Sequence, residues 1–125
     1  MSAWLLDTCV IIDYLRDRPE AVDLIRQAGP RPSVSAVTAA ELFAGARSAT
    51  EQRRIENLLD QLMVHSVDLE VARLGGAYRR RYGQSHGVLI PDALIAATAQ
   101  LHGARLVTRN ARHFPMLDDL LVPYH

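Results

Sequence analysis

The chain contains no lysine: all 14 of its basic residues are arginine. Genomic base composition accounts for much of this bias. The absence still closes mechanisms that need a lysine, such as Schiff bases or the phosphate-binding P-loop. A single cysteine, Cys9, excludes an internal disulfide and any cysteine-based zinc cluster. Net charge is missing too, with 14 basic residues against 14 acidic ones. Such a chain does not coat nucleic acid by charge alone. No stretch approaches the roughly 18 to 20 unbroken apolar residues of a membrane span. The N-terminus has no basic region followed by an apolar segment, so no signal peptide is expected. A soluble, cytoplasmic protein with no membrane partner follows from these absences. Tight hairpin signals such as Asn-Gly, internal repeats and linkers are also lacking.

What is present suits one globular domain spanning residues 1–125, with 49% hydrophobic and 22% charged residues. The run Leu5-Leu6-Asp7 reads as a buried strand that delivers an acid at its tip. Val10 to Arg16 has helical spacing. Pro19 suits the first turn of a helix over Glu20 to Ala28, stopped by Gly29-Pro30, with Pro30 and Pro32 bracketing a loop. Pro32 to Ser35 reads as a second strand. Ala36 to Arg47 reads as helix, and Thr50 as the cap of another that reaches Met63. Val64 to Val67 looks like an edge strand, and Asp68 opens a helix over Leu69 to Tyr82. Within that helix Gly75-Gly76 is either a close-packing point or a weak spot, at about 1 kcal/mol per glycine against alanine. Gly83 to Gly87 reads as a polar loop. Pro91 begins a helix over Asp92 to His102. Ala104 to Thr108 is a strand, Arg109 to Pro115 a loop or single helical turn, and Leu120 to Val122 a last strand. Strands alternating with helices predict an α/β fold, a short and mostly parallel sheet flanked by helices on both faces.

In such a sheet, ligands gather at the carboxyl ends of the strands. Three acids fall at strand-to-helix transitions: Asp7, Glu41 and Asp92. Each has a structural explanation. Asp7 can cap the following helix. Thr38-Ala39-Ala40-Glu41 fits a capping box. Asp92 lies in a first helical turn, where the dipole favours negative charge. Yet Glu41 and Asp92 lead into strongly apolar stretches, which predicts partly buried carboxylates, and clustered buried carboxylates need a cation. Oxygen ligands without histidine or thiolate point to magnesium or manganese.

Four segments then occur in order: Leu5-Leu6-Asp7-Thr8 with Tyr14-Leu15-Arg16, Glu41-Leu42-Phe43-Ala44-Gly45, Ile90-Pro91-Asp92 through Ala99, and Leu106-Val107-Thr108-Arg109-Asn110. Together they resemble a PIN-domain ribonuclease, specifically the small VapC-type toxin of bacterial toxin–antitoxin pairs, from Leu5 to Phe114. The resemblance implies a three-layer PIN-like domain and a magnesium-dependent endoribonuclease, with manganese as a substitute, that inhibits translation and growth until neutralised. It places the catalytic acids at Asp7, Glu41 and Asp92, and a fourth position, Asp or Asn in the family, at Asn110. Where the family often has a further acid before a Phe, this chain has His113 before Phe114. That departure leaves three firm carboxylates and opens the number of metal ions.

On this reading Asp7 and Asp92 hold the metal, and Glu41 orients or deprotonates water or completes the coordination shell. Asn110 hydrogen-bonds without adding charge, and Thr8 and Thr108 support the acids. Arg109 and Arg112, flanking the last strand of the site, are the candidate RNA-phosphate contacts; Arg79-Arg80-Arg81 and Arg105 read equally as a solvated face. Cys9 reads as an inert small hydrophobe. The resemblance also implies an RNA substrate, a VapB-type antitoxin, a homodimer and a toxin–antitoxin hetero-oligomer. Ile11, Leu15, Leu42, Phe43 and Leu58 are candidates for an antitoxin groove or, equally, for core. Two alternatives stand beside it. One is a catalytically inactive PIN-like module that binds RNA or protein. The other is a phosphoacceptor receiver domain, which depends on a lysine this chain lacks.

Overall fold

The structure, a computed structural model, describes residues 3–29 and 32–125; the expected turn at Pro30 lies outside them. Strand β1 (Trp4–Leu6) leads into α1 (Thr8–Leu15) and α2 (Pro19–Gln27). Then come β2 (Ser33–Ser35), α3 (Ala36–Ala44), α4 (Ala49–Asp60) and β3 (Met63–His65). The chain closes with α5 (Leu69–His86), α6 (Ile90–Leu101), β4 (Arg105–Val107), a 3₁₀ turn (Ala111–His113) and β5 (Leu120–Leu121). The sheet order is β3-β2-β1-β4-β5. Every pairing among the described strands is parallel, so the expected mostly parallel sheet is wholly so.

The strands are only two or three residues long, but alternation is enough to build both layers. Leu5 and Leu106 are register partners, as are Leu6 and Val107. Leu6 and Val107 turn to one face, joining Val10, Val34, Leu42, Ile55 and Leu58 from β2 and helices α1, α3 and α4. Leu5 and Leu106 turn to the other, meeting Ile95, Ala96, Ala99 and Phe114. The alanines on α6 let that helix lie close to the sheet. Among the described residues no helix is long and apolar enough to cross a membrane.

Several helix ends differ from expectation, each for a local reason. Helix α4 is capped by Ser48, not Thr50: its hydroxyl accepts from the Glu51 N–H at 3.1 Å, and Glu51 accepts in return from the Arg47 N–H at 2.6 Å. Thr38 is not a cap either. Ser35 caps α3, accepting from the Val37 N–H at 3.0 Å, which leaves Thr38 inside the helix and buried. Helix α5 runs through the expected polar loop to His86 and stops where Gly87 takes a left-handed conformation (φ +66°).

The two glycines within α5 have different surroundings. A Cβ on Gly75 would lie 2.6 Å from Leu94 Cδ2 of α6, whereas one on Gly76 would meet nothing within 4 Å. Gly75 is therefore the close-packing point and Gly76 the weak spot. Gly76→Ala is expected to stabilise the fold by about 1 kcal/mol through helix propensity. Gly75→Ala must displace Leu94 and should fall short of that gain. Urea unfolding of both variants checks the difference.

Candidate functional site

Parallel strands all end at one edge, and a helix that leads into a parallel strand must begin at that edge. The carboxyl ends of β1, β2 and β4 and the start of α6 are thereby brought together. Asp7 follows β1 directly, and its N–H donates to the Val107 carbonyl at 2.9 Å. Asp7 is buried (5% exposed) and bonded through both carboxylate oxygens, with lone pairs left on each. Oδ1 accepts from the Thr8 N–H at 2.8 Å, and Oδ2 from the Thr108 hydroxyl at 2.7 Å and more distantly from Cys9 Sγ at 3.4 Å. Asp7 is thus the N-cap of α1 as well as the centre of the site.

Two threonines connect Asp7 to its neighbours. The Thr108 hydroxyl accepts from the Asn110 N–H at 2.9 Å, so its one proton goes to Asp7. The Thr8 hydroxyl donates to Glu41 Oε1 at 2.8 Å and lies 2.9 Å from the Thr38 hydroxyl. With Thr8 donating to Glu41, Thr38 must donate to Thr8. Thr38, read from sequence as a cap, is therefore part of this network; nothing in its spacing distinguishes the two roles. Glu41 itself is exposed, contrary to the expectation of partial burial, because it stands on the solvent side of α3 while Leu42 turns inward.

Asp92 occupies the first turn of α6, with its side chain 29% exposed. Desolvation and then the charge of Asp7 push its carboxyl above the ordinary range. His113 pulls the other way, its Nδ1 3.3 Å from Asp92 Oδ2, and Glu41 adds a further upward push. The three acids therefore sense one another. Asn110 is half-buried; its side-chain amide has no hydrogen-bond partner among the described residues.

Among the described residues no three His, Cys, Asp or Glu side chains close into a ready-made metal cage. A hard, hydrated divalent cation does not require one, since magnesium is usually held by one or two carboxylates and keeps several waters. Repelling carboxylate oxygens beside a single imidazole are a donor set that fits such an ion. The histidines offer no alternative centre. His65 and His102 stack with ring centroids 3.8 Å apart, an arrangement that presents no shared ligand point. Burial, and then His102, lower the His65 pKa.

The two candidate phosphate-binding arginines part ways. Arg112 is exposed and makes no hydrogen bond or ion pair among the described residues. Arg109 is drawn to an acid that the sequence reading passed over, Asp13 on α1: its Nε lies 2.7 Å from Asp13 Oδ2 and its Nη2 3.5 Å from Oδ1. The Nε–H points off the line to that oxygen, so the contact is an ion pair more than a directed hydrogen bond. Asp13 stands six residues after Asp7 in an apolar helix, and that buried-acid signal was available.

Beside Glu41 lies an open groove of about 280 Å³ between α1, α3 and α4, lined by Ile12, Leu15, Leu42, Ile55 and Arg47. Of the apolar residues expected to form a docking groove, Leu15 and Leu42 line it. Ile11 and Leu58 are core, and Phe43 packs against that core.

The fold and site define an α/β domain that carries its acids at the carboxyl edge of a parallel sheet. The PIN domain matches residues 4–120. Ribonuclease VapC19 of Mycobacterium tuberculosis is 40% identical over 124 residues, covering 96% of this chain and 98% of the relative. Ribonuclease VapC10 of the same organism is 39% identical over 124 residues, covering 96% and 92%. A toxin–antitoxin complex from Klebsiella pneumoniae has a chain of the same fold, with a TM-score of 0.84 at 30% identity over 97% of this chain and 98% of that one. The chain belongs to the PIN-domain family, within its VapC group.

Two outcomes follow from the electrostatics. A carboxyl whose folded pKa is raised opposes folding at every pH above that raised value, and the opposition vanishes below the ordinary carboxylate range. Asp92→Asn should therefore melt higher than the wild type at pH 7 in chelator, with the gain fading as pH falls below the ordinary carboxylate range; thermal scans of both proteins over that pH range check it. Burial, and next the charge of Asp7, push the Cys9 thiol up to about 11. Cys9 should stay unmodified by iodoacetamide in the folded protein at pH 7.5 and react once the chain is denatured, as read by mass spectrometry.

Proposed function

We propose that this protein is an endoribonuclease and the toxin of a type II toxin–antitoxin pair. It hydrolyses RNA phosphodiester bonds with a bound magnesium ion, or manganese in its place, and so inhibits translation and growth until a VapB-type antitoxin neutralises it. The observation that carries this reading is the meeting of Asp7, Glu41 and Asp92, from three separate elements, at one edge of the sheet. Kinship with proteins named ribonuclease VapC supports the substrate, and the Klebsiella toxin–antitoxin complex supports the partner.

Asp7 and Asp92 would hold the cation. When bound, it supplies a Lewis acid that offsets charge on the phosphoryl oxygens and lowers the pKa of water from about 15.7. The residues of the chain do the rest. Thr8 and Thr108 fix the acceptor atoms of Glu41 and Asp7, so neither carboxylate reorganises during the reaction. Glu41, exposed and bonded through only Oε1, takes the proton of the attacking water. The water oxygen forms a bond to phosphorus as one P–O bond breaks, and the departing oxygen takes a proton from solvent. The Asn110 amide donates to a phosphoryl oxygen, adding no charge to a site already rich in anions. Arg112 meets a flanking phosphate.

The groove beside Glu41 is where the antitoxin would dock, since its apolar lining and its arginines suit an amphipathic segment with acidic flanks. Exposed Leu69, Leu89 and Ile90 are suited to burial in a homodimer and in the larger toxin–antitoxin assembly.

The test is cleavage of RNA by the purified protein, free of antitoxin. Magnesium should support cutting, EDTA should stop it, and added magnesium or manganese should restore it. Asp7→Ala should lose roughly 100-fold or more in rate while keeping the wild-type far-UV spectrum. Cleavage that survives chelation, or equal cleavage by Asp7→Ala, would sink the metal site as assigned and leave an inactive binding module.

A further inference from the structure

Asp13 is a buried acid for which the chemistry above has no task. Its side chain is 10% exposed, and its contacts are all to groups that arrive from elsewhere. Oδ2 lies 2.7 Å from Arg109 Nε, 2.9 Å from the Tyr124 hydroxyl that donates to it, and 3.5 Å from Arg18 Nη1. Arg18 stacks on the Tyr124 ring at 4.3 Å and donates to the His125 carbonyl at 2.9 Å. One carboxylate thus gathers two guanidinium groups, a phenol and residues near position 125. An ion pair withdrawn this far from water contributes little to stability beyond what an apolar cluster of the same volume would. Its consequence is geometric.

Arg109 is the residue between Thr108 and Asn110. Thr108 gives its hydroxyl proton to Asp7, and the Asn110 N–H fixes that hydroxyl. Holding Arg109 from the far side, against α1, holds both neighbours in register with Asp7, which caps the same helix. We infer that Asp13 is a positioning residue for phosphodiester hydrolysis. It acts through Arg109, with Tyr124 and Arg18 completing its shell, to set the Thr108–Asn110 corner against the catalytic acid. Arg109 is then a tie and not a phosphate contact; Arg112 alone of the pair faces the RNA. This rests on the ribonuclease reading above.

Steady-state cleavage of a single-stranded RNA oligonucleotide in magnesium, over a range of salt, tests it. Asp13→Asn keeps an acceptor oxygen but cannot balance Arg109. It should lower kcat at least tenfold with KM within twofold. Arg109→Ala should do the same, and the double variant should be no slower than the worse single one, because both remove one tie. Arg112→Ala should instead raise KM and reduce its salt slope by about 0.7, the value for one single-strand phosphate contact. Multiplying kcat losses in the double variant, or a raised KM and reduced slope in Arg109→Ala, would overturn the inference. Should Asp13→Asn fail to fold, Tyr124→Phe removes one hydroxyl and keeps the ring under Arg18. A severalfold lower kcat at unchanged KM is expected, and an unchanged kcat overturns the role. A wild type that cuts no RNA overturns the ribonuclease reading and this one with it, whereas a cutting wild type with an unaffected Asp13→Asn overturns the positioning role alone.

Discussion

The hydrogen bond from Thr108 to Asp7 spans 101 residues of sequence yet ties strands adjacent in the sheet, and much of the site depends on its direction. A hydroxyl has one proton. Because the Asn110 N–H occupies an acceptor position on Thr108, that proton is committed to Asp7 Oδ2. The opposite carboxylate oxygen is committed to the helix it caps. Asp7 is thus oriented from both sides by groups that a parallel β1–β4 pair puts in place. The edge where strand order reverses in an open α/β sheet is where such sites arise. Here the reversal falls between β1 and β4, at Asp7.

The same closeness strains the protein. Asp92 is pushed toward its neutral form by burial and by Asp7, and only His113 pulls it back. Local stability alone would favour fewer charges here. Sites that must bind a cation or an anionic transition state commonly carry such opposition, and the rest of the fold offsets it. The two apolar layers on either side of a very short sheet supply that support, with Leu5, Leu6, Leu106 and Val107 fully buried. Short strands suffice because the central β1 and β4 each contribute one fully buried residue to each layer.

Much of this arrangement was legible along the chain. Apolar runs ending in Asp7 and Thr108, and the Pro91-Asp92 helix start, locate the carboxyl edge of the sheet through hydrophobic period and capping chemistry alone. The order of four segments identified the family. What could not be read were contacts between groups far apart in sequence. Thr38 and Glu41 satisfy a capping-box pattern, yet Ser35 holds the cap, and the freed Thr38 hydroxyl turns to Thr8. Arg109 and Arg112 look alike in a polar stretch; only the fold shows that one faces Asp13 and the other solvent. Gly83 to Gly87 has loop composition, but nothing in it forbids helix until Gly87 adopts a left-handed φ. Glycine and serine there mark a permissive stretch, not a stop.

Glu41 connects the site to the groove. Its carboxylate is held by Thr8, which caps nothing itself but follows Asp7 directly, and it also lines the cavity between α1, α3 and α4. Anything seated there meets Glu41 before it meets Asp7. On the toxin reading, an occupant that brings a cation toward Glu41 would compete with its task as proton acceptor without entering the buried part of the site. Arg47 and Arg54 on the groove wall favour acidic flanks on that occupant, and Arg54 is already drawn to Asp17 at 3.0 Å. An inhibitor could thus be recognised at the rim by charge and act at the shared acid. Recognition and inhibition would then be separable, because the arginines and Glu41 are distinct residues lining the same groove.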